Sequence, residues 1–349
     1  MSRRKLKKGW NEHPSLFDDG LFGTEDSSGD FEVKLTAEAP AEPEETADAA
    51  DDSDDDAIAP NDAELTEPAI EPLRFISFGS GSSGNCAYLG TQSEGILIDA
   101  GVIPDNVFPV LQSYGIKPEQ IKGILLSHDH GDHVRYAYTL IRKHRDLHVY
   151  CTPKTLNGIF RRHNTPRRLK DYHVAFYKEI PFKVAGFTVT AFNVSHDGTD
   201  NCGFFIERGG QSFAIATDLG CITERVRYYM RQANFAMIES NYDRHMLDTG
   251  HYPEYLKNRI RSESGHLDNR VSADFMAGLY GPQLRYIFLC HLSHDNNAPE
   301  LALEAYDKAF AEKGITLGHG GNDAASIASP VQVVALPRFD ASDFFSLRK

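Results

Sequence analysis

The stretch His128-Asp129-His130-Gly131-Asp132-His133 directly follows an apolar run, Ile124-Leu125-Leu126. Imidazole and carboxylate groups are ligands that borderline divalent metals such as zinc accept in proteins. A tight loop after a rigid strand can direct His128 and His130 at one ion while Asp132 and His133 turn toward another. The spacing therefore favours a site for two metal ions over a solvated turn, the ordinary alternative for a polar loop.

Three further candidate ligands each follow a predicted strand. They are His196 after residues 189–194, Asp218 after residues 214–217 and His291 after residues 287–290. Because strand ends on one edge of a sheet converge on one site, we expect these side chains to meet there. Asp99 ends another predicted strand, and a carboxylate at that position can fix the tautomer of a ligating imidazole from behind.

From Leu73 onward, short β-branched and aromatic runs alternate with helical patterns, which indicates an α/β or α+β domain. Strands are predicted at residues 73–78, 86–89, 95–99, 121–127, 148–151, 187–194, 203–207, 213–217, 235–239 and 285–290. The three-to-four spacing of apolar residues predicts helices at residues 134–144, 224–231, 254–262, 272–279 and 299–311. Many strands with fewer helices favour two sheets packed face to face with helices outside.

The first 72 residues differ in composition from the rest of the chain. They contain 21 acidic and 6 basic residues, a net charge of −15, so of the whole-chain charge of −14 the remaining 277 residues carry +1. We expect residues 1–72 to be a disordered acidic tail, which a protein partner could recognise, and residues 73–349 to be the folded domain. A domain close to neutrality does not repel a polyanion such as nucleic acid.

The sequence also bears on the compartment. It contains no run of about 18 apolar residues, and no apolar segment follows the basic residues at the N-terminus. Its five cysteines are widely spaced and contain no C-x-x-C pair, so they indicate neither a disulfide framework nor a thiolate zinc site. These features predict a cytoplasmic protein that does not enter a membrane.

Taken together, the order His-x-His-x-Asp-His, with Asp upstream and His, Asp and His downstream, resembles the metallo-β-lactamase superfamily over residues 73–336. The resemblance implies an αββα sandwich of the α/β class, with two packed sheets and outer helices. It also implies two divalent metal ions, Zn or Mn. By that resemblance His128, His130 and His196 hold the first ion, Asp132, His133 and His291 hold the second, and Asp218 bridges them.

The spacing also narrows the branch of the superfamily. Asp218 and His291 are only 73 positions apart, which leaves no room for the inserted domain of the β-CASP nucleases. His130 stands where flavodiiron proteins have glutamate, which favours hydrolysis over electron transfer. The stretches 80–85, 239–243, 265–269 and 291–297 resemble the YycJ/WalJ branch, described as cytoplasmic 5′-to-3′ exonucleases on double-stranded DNA. The acidic segment is not part of that pattern.

A phosphodiester substrate needs groups that bind phosphate, and a Ser/Gly-rich turn can supply N–H groups and hydroxyls for this purpose. The candidates are Ser80, Ser82, Ser83, Asn85 and Asn296. Such a turn also fits an ordinary hairpin. His266, on a predicted loop, is the candidate proton donor to the leaving oxygen, although an exposed or helix-capping histidine fits the pattern equally well. Asp132 and His266 are the candidate catalytic residues.

Two groups of basic residues are candidates for contacts with nucleic acid, although such runs are commonly solvated faces. One comprises Arg161, Arg162, Arg167, Arg168 and Lys170, and the other Lys257, Arg259 and Arg261.

The sequence therefore predicts a dinuclear metal-dependent hydrolase that cleaves phosphodiesters, with DNA as substrate and 5′-to-3′ exonuclease activity. A metal-dependent thioesterase or lactonase on the same fold is the alternative among enzymes, and it needs no phosphate-binding turn. A binding module that recruits a partner through its acidic tail is the alternative outside enzymes. The complete set of ligands argues against it.

Overall fold

A computed structural model describes residues 70–320 and 328–349. The predicted acidic tail therefore lies outside the described residues, except for its last three. The described part contains fourteen β-strands in two seven-stranded sheets, together with nine α-helices.

The strands are β1 (Leu73–Gly79), β2 (Cys86–Gly90), β3 (Gly95–Ile98), β4 (Ile121–Leu125), β5 (His148–Cys151), β6 (His173–Ala175), β7 (Phe182–Val184), β8 (Phe187–Asn193), β9 (Cys202–Arg208), β10 (Gln211–Ala216), β11 (Phe235–Glu239), β12 (Tyr286–Cys290), β13 (Gln332–Ala335) and β14 (Phe345–Leu347). The helices are α1 (Pro104–Ser113), α2 (Gly131–Val134), α3 (Ala137–Lys143), α4 (Pro153–Arg162), α5 (Glu224–Met230), α6 (Arg244–Thr249), α7 (Glu254–Ile260), α8 (Asn269–Leu279) and α9 (Pro299–Ala311). Two 3₁₀ turns, Pro118–Gln120 and Arg167–Tyr172, lie between them.

Both sheets are mixed. The first has the order β14-β1-β2-β3-β4-β5-β6, antiparallel as far as β3 and parallel from β3 to β6. The second has the order β13-β12-β11-β10-β9-β8-β7, parallel from β13 to β10 and antiparallel from there. Parallel strands end at the same edge of a sheet, so each sheet presents several C-terminal strand ends side by side.

Three apolar layers hold the two sheets and the helices together. Successive side chains of a strand point to opposite faces, so the central strands bury both faces. Phe213 and Ile215 of β10 lie in the layer between the sheets, while Ala214 and Ala216 face α5, α8 and α9. The other outer layer joins β1 to β5 with α1, α3 and α4. This order of helices, sheet, sheet and helices confirms the predicted αββα sandwich.

The elements themselves agree with the sequence in part. Each of the ten predicted strands corresponds to an observed strand, with ends that differ by up to two residues. The prediction of one helix at residues 134–144 was wrong, because the chain forms two short helices there, α2 and α3. The strands β6, β7, β13 and β14 and the helices α1, α4 and α6 were not predicted.

In the described part of the chain, no helix is long and apolar enough to span a membrane.

Candidate metal centre

The candidate ligands lie where strands of both sheets end. Asp99 follows β3 and His128 follows β4, while His196, Asp218 and His291 follow β8, β10 and β12. Two of these residues adopt left-handed backbone conformations, with φ of 60° at Asp99 and 54° at His291. Such conformations cost on the order of 1–3 kcal/mol in a residue other than glycine, and they are characteristic of functional sites.

The loop and short helix α2 that carry the His-rich motif pack tightly on the neighbouring strand ends. The carbonyl oxygen of Asp132 accepts a hydrogen bond of 2.8 Å from the backbone N–H of Asn85. A Cβ atom on Gly101 would lie only 1.5 Å from that same oxygen. Glycine at position 101 therefore allows the close approach that fixes Asp132 and His133 at the sheet edge.

Six of the candidate ligands form two groups of three. We call His128, His130 and His196 the first triad, and Asp132, His133 and His291 the second triad. In each triad the possible ligand atoms lie within 4.8 Å of one another. The structure thus brings together residues that are up to 163 positions apart in the sequence.

Asp218 lies between the two triads. Its Oδ2 atom is 3.2 Å from Nε2 of His133, and its Oδ1 atom is 3.3 Å from Nδ1 of His291. The same Oδ1 atom is 3.7 Å from Nε2 of His196 in the first triad. This position suits a carboxylate that serves both triads.

Two buried nitrogens test whether these residues fit a metal ion. Nε2 of His128 and Nε2 of His291 are buried and have no hydrogen-bond partner among the residues that the structure describes. Buried polar atoms in folded proteins are nearly always paired, so each such nitrogen needs an explanation. A divalent cation held among imidazole and carboxylate ligands supplies one, and the donor set is of the kind that zinc or manganese accepts. The residues therefore fit divalent metal ions.

The histidines of the first triad are neutral at pH 7. Burial lowers the pKa of His128 and His196 below the ordinary value and lowers that of His130 to about 4. Uncharged groups contact the Nδ1 atoms of His128 and His196, whereas Nε2 of His130 lies 3.4 Å from the carboxylate of Asp197. Ser127 donates its hydroxyl hydrogen to a carboxylate and contacts Nδ1 of His128 at 3.0 Å, while Nδ1 of His196 donates to the carbonyl of Gly265 at 3.0 Å.

The histidines of the second triad are backed by buried carboxylates. Nδ1 of His133 lies 2.7 Å from Asp99, and Nδ1 of His291 lies 2.8 Å from Glu239. Burial acts to lower the pKa of both imidazoles, but the carboxylates around them outweigh it. The pKa of His133 is therefore well above its ordinary value, and that of His291 is raised to about 10.

Glu239 is a central residue to which the sequence analysis gave no role. It is fully buried at the end of β11, and its Oε1 atom accepts hydrogen bonds from His266 (2.7 Å) and His291 (2.8 Å). Its Oε2 atom accepts two more from the backbone N–H groups of Leu219 (2.7 Å) and Leu267 (3.1 Å). The sequence contains a signal for Glu239, because it is an acidic residue at the end of an apolar strand, the same pattern that indicated Asp99.

His266 lies in the loop before α8, and the structure brings it into the centre. Its ring centroid is 5.1 Å from that of His196 and 5.1 Å from that of His291. Because Nδ1 contacts Glu239, Nε2 is the nitrogen left for substrate or metal. The possible ligand atoms of His266 and those of Asp218, Glu239 and His291 also lie within 4.8 Å of one another, so the geometry permits either role.

The candidate phosphate-binding residues divide by burial. Ser80 accepts a hydrogen bond of 2.9 Å from the backbone N–H of His291. Asn85 donates to Asp132 at 3.1 Å. Both residues are buried, as is Asn296, and the first two contact the second triad. Ser82 and Ser83 lie in the turn after β1 and are accessible to solvent.

An αββα sandwich with a His/Asp centre at the strand ends of both sheets defines a metal-dependent hydrolase of the metallo-β-lactamase type. A sequence model described as "Beta-lactamase superfamily domain" matches residues 95–287. The chain belongs to the metallo-β-lactamase superfamily, as its motif predicted.

Two relatives show which branch of the superfamily the chain resembles. The chain is 33% identical over 246 residues to exodeoxyribonuclease YycJ of Bacillus anthracis, covering 70% of this chain and 92% of the relative. It is 30% identical over 246 residues to exodeoxyribonuclease WalJ of Streptococcus pneumoniae serotype 2, covering 70% and 91%. The predicted resemblance to the YycJ/WalJ branch is confirmed.

Solved structures agree on the fold. The metallo-β-lactamase fold protein YhfI from Bacillus subtilis superposes with a TM-score of 0.57 at 13% identity, covering 78% of this chain and 99% of that one. Zinc-bound PqqB from Methylobacterium extorquens superposes with a TM-score of 0.53 at 18% identity, covering 77% and 99%.

Proposed function

We propose that this hydrolase is a dinuclear DNA exonuclease that digests from 5′ to 3′. The observation that carries the proposal is the pair of triads with Asp218 between them, a set of ligands for two ions. The similarity to relatives named exodeoxyribonucleases supports DNA as the substrate.

In this proposal the first triad would hold one divalent ion, the second triad would hold another, and Asp218 would contribute a ligand to both sites. When bound, two such ions supply Lewis acidity that activates water and offsets charge on the phosphoryl oxygens. The carboxylate of Asp132 is partly exposed, with Oδ2 3.5 Å from Nε2 of His133 and 3.5 Å from Nε2 of His291. From there it can accept a hydrogen bond from the attacking water and orient it.

His266 acts as the proton donor. The carboxylate of Glu239, 2.7 Å from Nδ1, fixes the orientation of the imidazole and leaves Nε2 to face the substrate. The proton given to the leaving oxygen then comes from Nε2. Proton transfer of this kind contributes about a hundred-fold or more to the rate of such reactions.

The accessible turn of Ser82 and Ser83 contacts the substrate phosphate through hydroxyl and backbone N–H groups. Ser80 and Asn85, which are buried against the second triad, support the turn from below. Buried and unpaired cysteines agree with the cytoplasmic location that we propose for the enzyme.

One assay compares the candidate activities. The full chain is loaded with Mn²⁺ or Zn²⁺ and offered 5′-phosphorylated duplex DNA, an acyl-thioester and a lactone, with the Asp218→Ala variant as control. We expect DNA cleavage that the variant lacks. Duplexes labelled at the 5′ or the 3′ end then give the polarity, and we expect the 5′ label to be released first as short products. Turnover of the thioester or lactone with intact DNA would contradict the proposal.

A further inference from the structure

The two groups of basic residues that the sequence singled out differ in their partners. In the group on α7, Lys257 donates to the carbonyl of Asp248 at 2.8 Å, and Arg259 pairs with Asp197 at 2.6 Å. Arg261 pairs with Glu254 at 3.2 Å and also with Asp248. The charges of this group are largely used within the protein, so it offers little to a polyanion.

The group around α4 keeps its charge available. Lys154, Asn157 and Arg161 are spaced by three and four residues, which places them on one exposed face of the helix. Together with Arg167 they line a groove of about 460 Å³. Within the described residues, Lys154, Arg161 and Arg167 form no ion pair with a carboxylate.

The groove also contains an aromatic ring. Phe160 is half-buried in its wall, and the guanidinium carbon of Arg167 lies 4.7 Å from the ring centroid. This cation–π contact holds Arg167 at the groove. Grooves that bind nucleic-acid strands commonly combine cations for the phosphates with aromatic rings for the bases.

The groove lies directly beside the first triad. Its far wall is Thr199, which donates from its hydroxyl (2.5 Å) and its backbone N–H (2.9 Å) to the buried carboxylate of Asp129. Asp129 stands between His128 and His130 in the motif. On the side of α4, Arg162 contacts the same carboxylate at 3.2 Å. Through these contacts with Thr199 and Arg162, Asp129 links both sides of the groove to the loop that carries His128 and His130.

We propose that this α4 groove binds the backbone phosphates of the substrate strand next to the bond that is cleaved. The inference rests on the proposed function and names the surface that the strand follows. Lys154 and Arg161 are about 10 Å apart along the helix axis, from a rise of about 1.5 Å per residue. Along the axis of a DNA duplex each strand carries one phosphate per roughly 3.4 Å, so this span corresponds to about three phosphates of one strand, and the two cations can contact that strand.

The test is a triple variant, Lys154→Ala, Arg161→Ala and Arg167→Ala, in the full chain. Arg162 is left in place because it contacts Asp129. Affinity for a 5′-phosphorylated 20-nucleotide strand is measured by fluorescence anisotropy between about 50 and 200 mM salt. We expect at least a ten-fold loss of affinity and a salt dependence that is shallower by about two to three ions.

Activity gives an independent readout. Bis(p-nitrophenyl) phosphate has no neighbouring phosphate and is too short to reach from the metal centre along α4. The ratio of kcat/KM for DNA to kcat/KM for this small diester should therefore fall at least ten-fold in the triple variant. An equal fall for both substrates would overturn the proposal, because it would show damage to the metal centre.

The matched control is the triple variant Arg231→Ala, Arg285→Ala and Lys313→Ala. These exposed residues precede β11, β12 and β13, at the sheet edge opposite the metal centre. The control removes the same charge, and we expect less than a two-fold change in affinity. Equal losses in control and test variants would reduce the effect to net charge and overturn the proposal.

A second variant guards against a folding defect. Lys154→Gln with Arg161→Gln leaves Arg167 on Phe160, and it should keep the melting temperature while losing several-fold in affinity for the strand. Wild-type affinity for the strand in this variant would contradict the proposal that the α4 groove binds its phosphates. Failure of the proposed function is a different result, since the wild-type enzyme would then bind the strand without cleaving it.

Discussion

The two triads of the metal centre are supported by different kinds of partner. In the second triad, the buried carboxylates of Asp99 and Glu239 contact the histidines that carry it. In the first triad, a hydroxyl from Ser127 and a carbonyl from Gly265 contact the Nδ1 atoms of two histidines, and the carboxylate of Asp197 lies 3.4 Å from Nε2 of the third, His130.

This difference has a chemical consequence. A carboxylate behind a ligating imidazole fixes the ring and makes its other nitrogen a better donor to a metal. The second triad also contains an anionic ligand, Asp132, whereas the first consists of three neutral imidazoles. We therefore expect the second triad to bind its ion more tightly. The first triad adjoins the α4 groove, which is the side from which we expect substrate to arrive.

The largest effect is expected at Asp218, the residue that lies between the two triads. Asp218→Ala should abolish hydrolysis and lower the metal content, because this carboxylate approaches His133, His291 and His196. Metal analysis and the rate on DNA measure both consequences. Asp197→Ala is the matched control, since Asp197 approaches only the first triad, and it should retain the second ion. Two ions per chain together with full activity in Asp218→Ala would contradict the dinuclear assignment.

The next largest effect is expected at His266, whose ring centroid lies 5.1 Å from that of His196 in the first triad and 5.1 Å from that of His291 in the second. If His266 donates a proton, His266→Ala should keep both ions and the affinity for DNA while the rate falls roughly a hundred-fold or more. The loss should shrink for a substrate with a nitrophenolate leaving group, which departs without protonation. Loss of metal would instead make His266 a ligand, and equal slowing of both substrates would make it a phosphate contact.

A third prediction tests the carboxylate support itself. Glu239→Gln keeps the size of the side chain but replaces one acceptor oxygen with an amide that only donates, and Asp99→Asn does the same behind His133. Each should weaken zinc binding to the second triad by about ten- to a hundred-fold. A zinc titration monitored by calorimetry should show two binding steps, of which the tighter is weakened and the other is unchanged. If the weaker step moves instead, the order of affinities inferred for the triads is reversed.

The sequence was sufficient for most of the centre because its chemistry is local. The motif places four candidate ligands within six residues, and the strand-end rule gave His196, Asp218 and His291 across long separations. Glu239 fits the same rule, since it ends an apolar strand, but the rule admits many polar strand ends and does not rank them, so Glu239 was given no role.

The fold shows a parallel limit. All four strands that were not predicted, β6, β7, β13 and β14, are the edge strands of the two sheets. Three of them, β6, β7 and β14, are three residues long and partly exposed, so they lack the apolar run that marks a central strand, while β13 has such a run but is only four residues long. Helix α1 contains an internal proline, Pro109, which disfavours a helix, and its buried residues Val107, Phe108 and Leu111 stabilise it by tertiary packing. These elements depend on contacts that only the folded chain provides.

The smallest effect is expected from the neutral support of the first triad. Ser127→Ala removes the hydroxyl that contacts Nδ1 of His128 at 3.0 Å. Ser127→Ala also removes the hydrogen bonds of 2.9 Å from this hydroxyl to Asp99, but Asp99 keeps a hydrogen bond of 2.8 Å from the backbone N–H of residue 127 and lies 2.7 Å from Nδ1 of His133, so most of the support of the second triad stays in place. A neutral hydrogen bond contributes about 1 kcal/mol, which corresponds to roughly a five-fold change in affinity.

The weaker step of the zinc titration should therefore shift by less than about ten-fold, and the tighter step should shift less than it does in Asp99→Asn. Asp99→Asn, made in the same contact network, is the matched comparison and should cost more. If Ser127→Ala costs as much as Asp99→Asn, the charge of the partner does not distinguish the triads, and burial alone sets their affinities. A larger loss for the charged partner would show that the carboxylates make the second triad the tighter site.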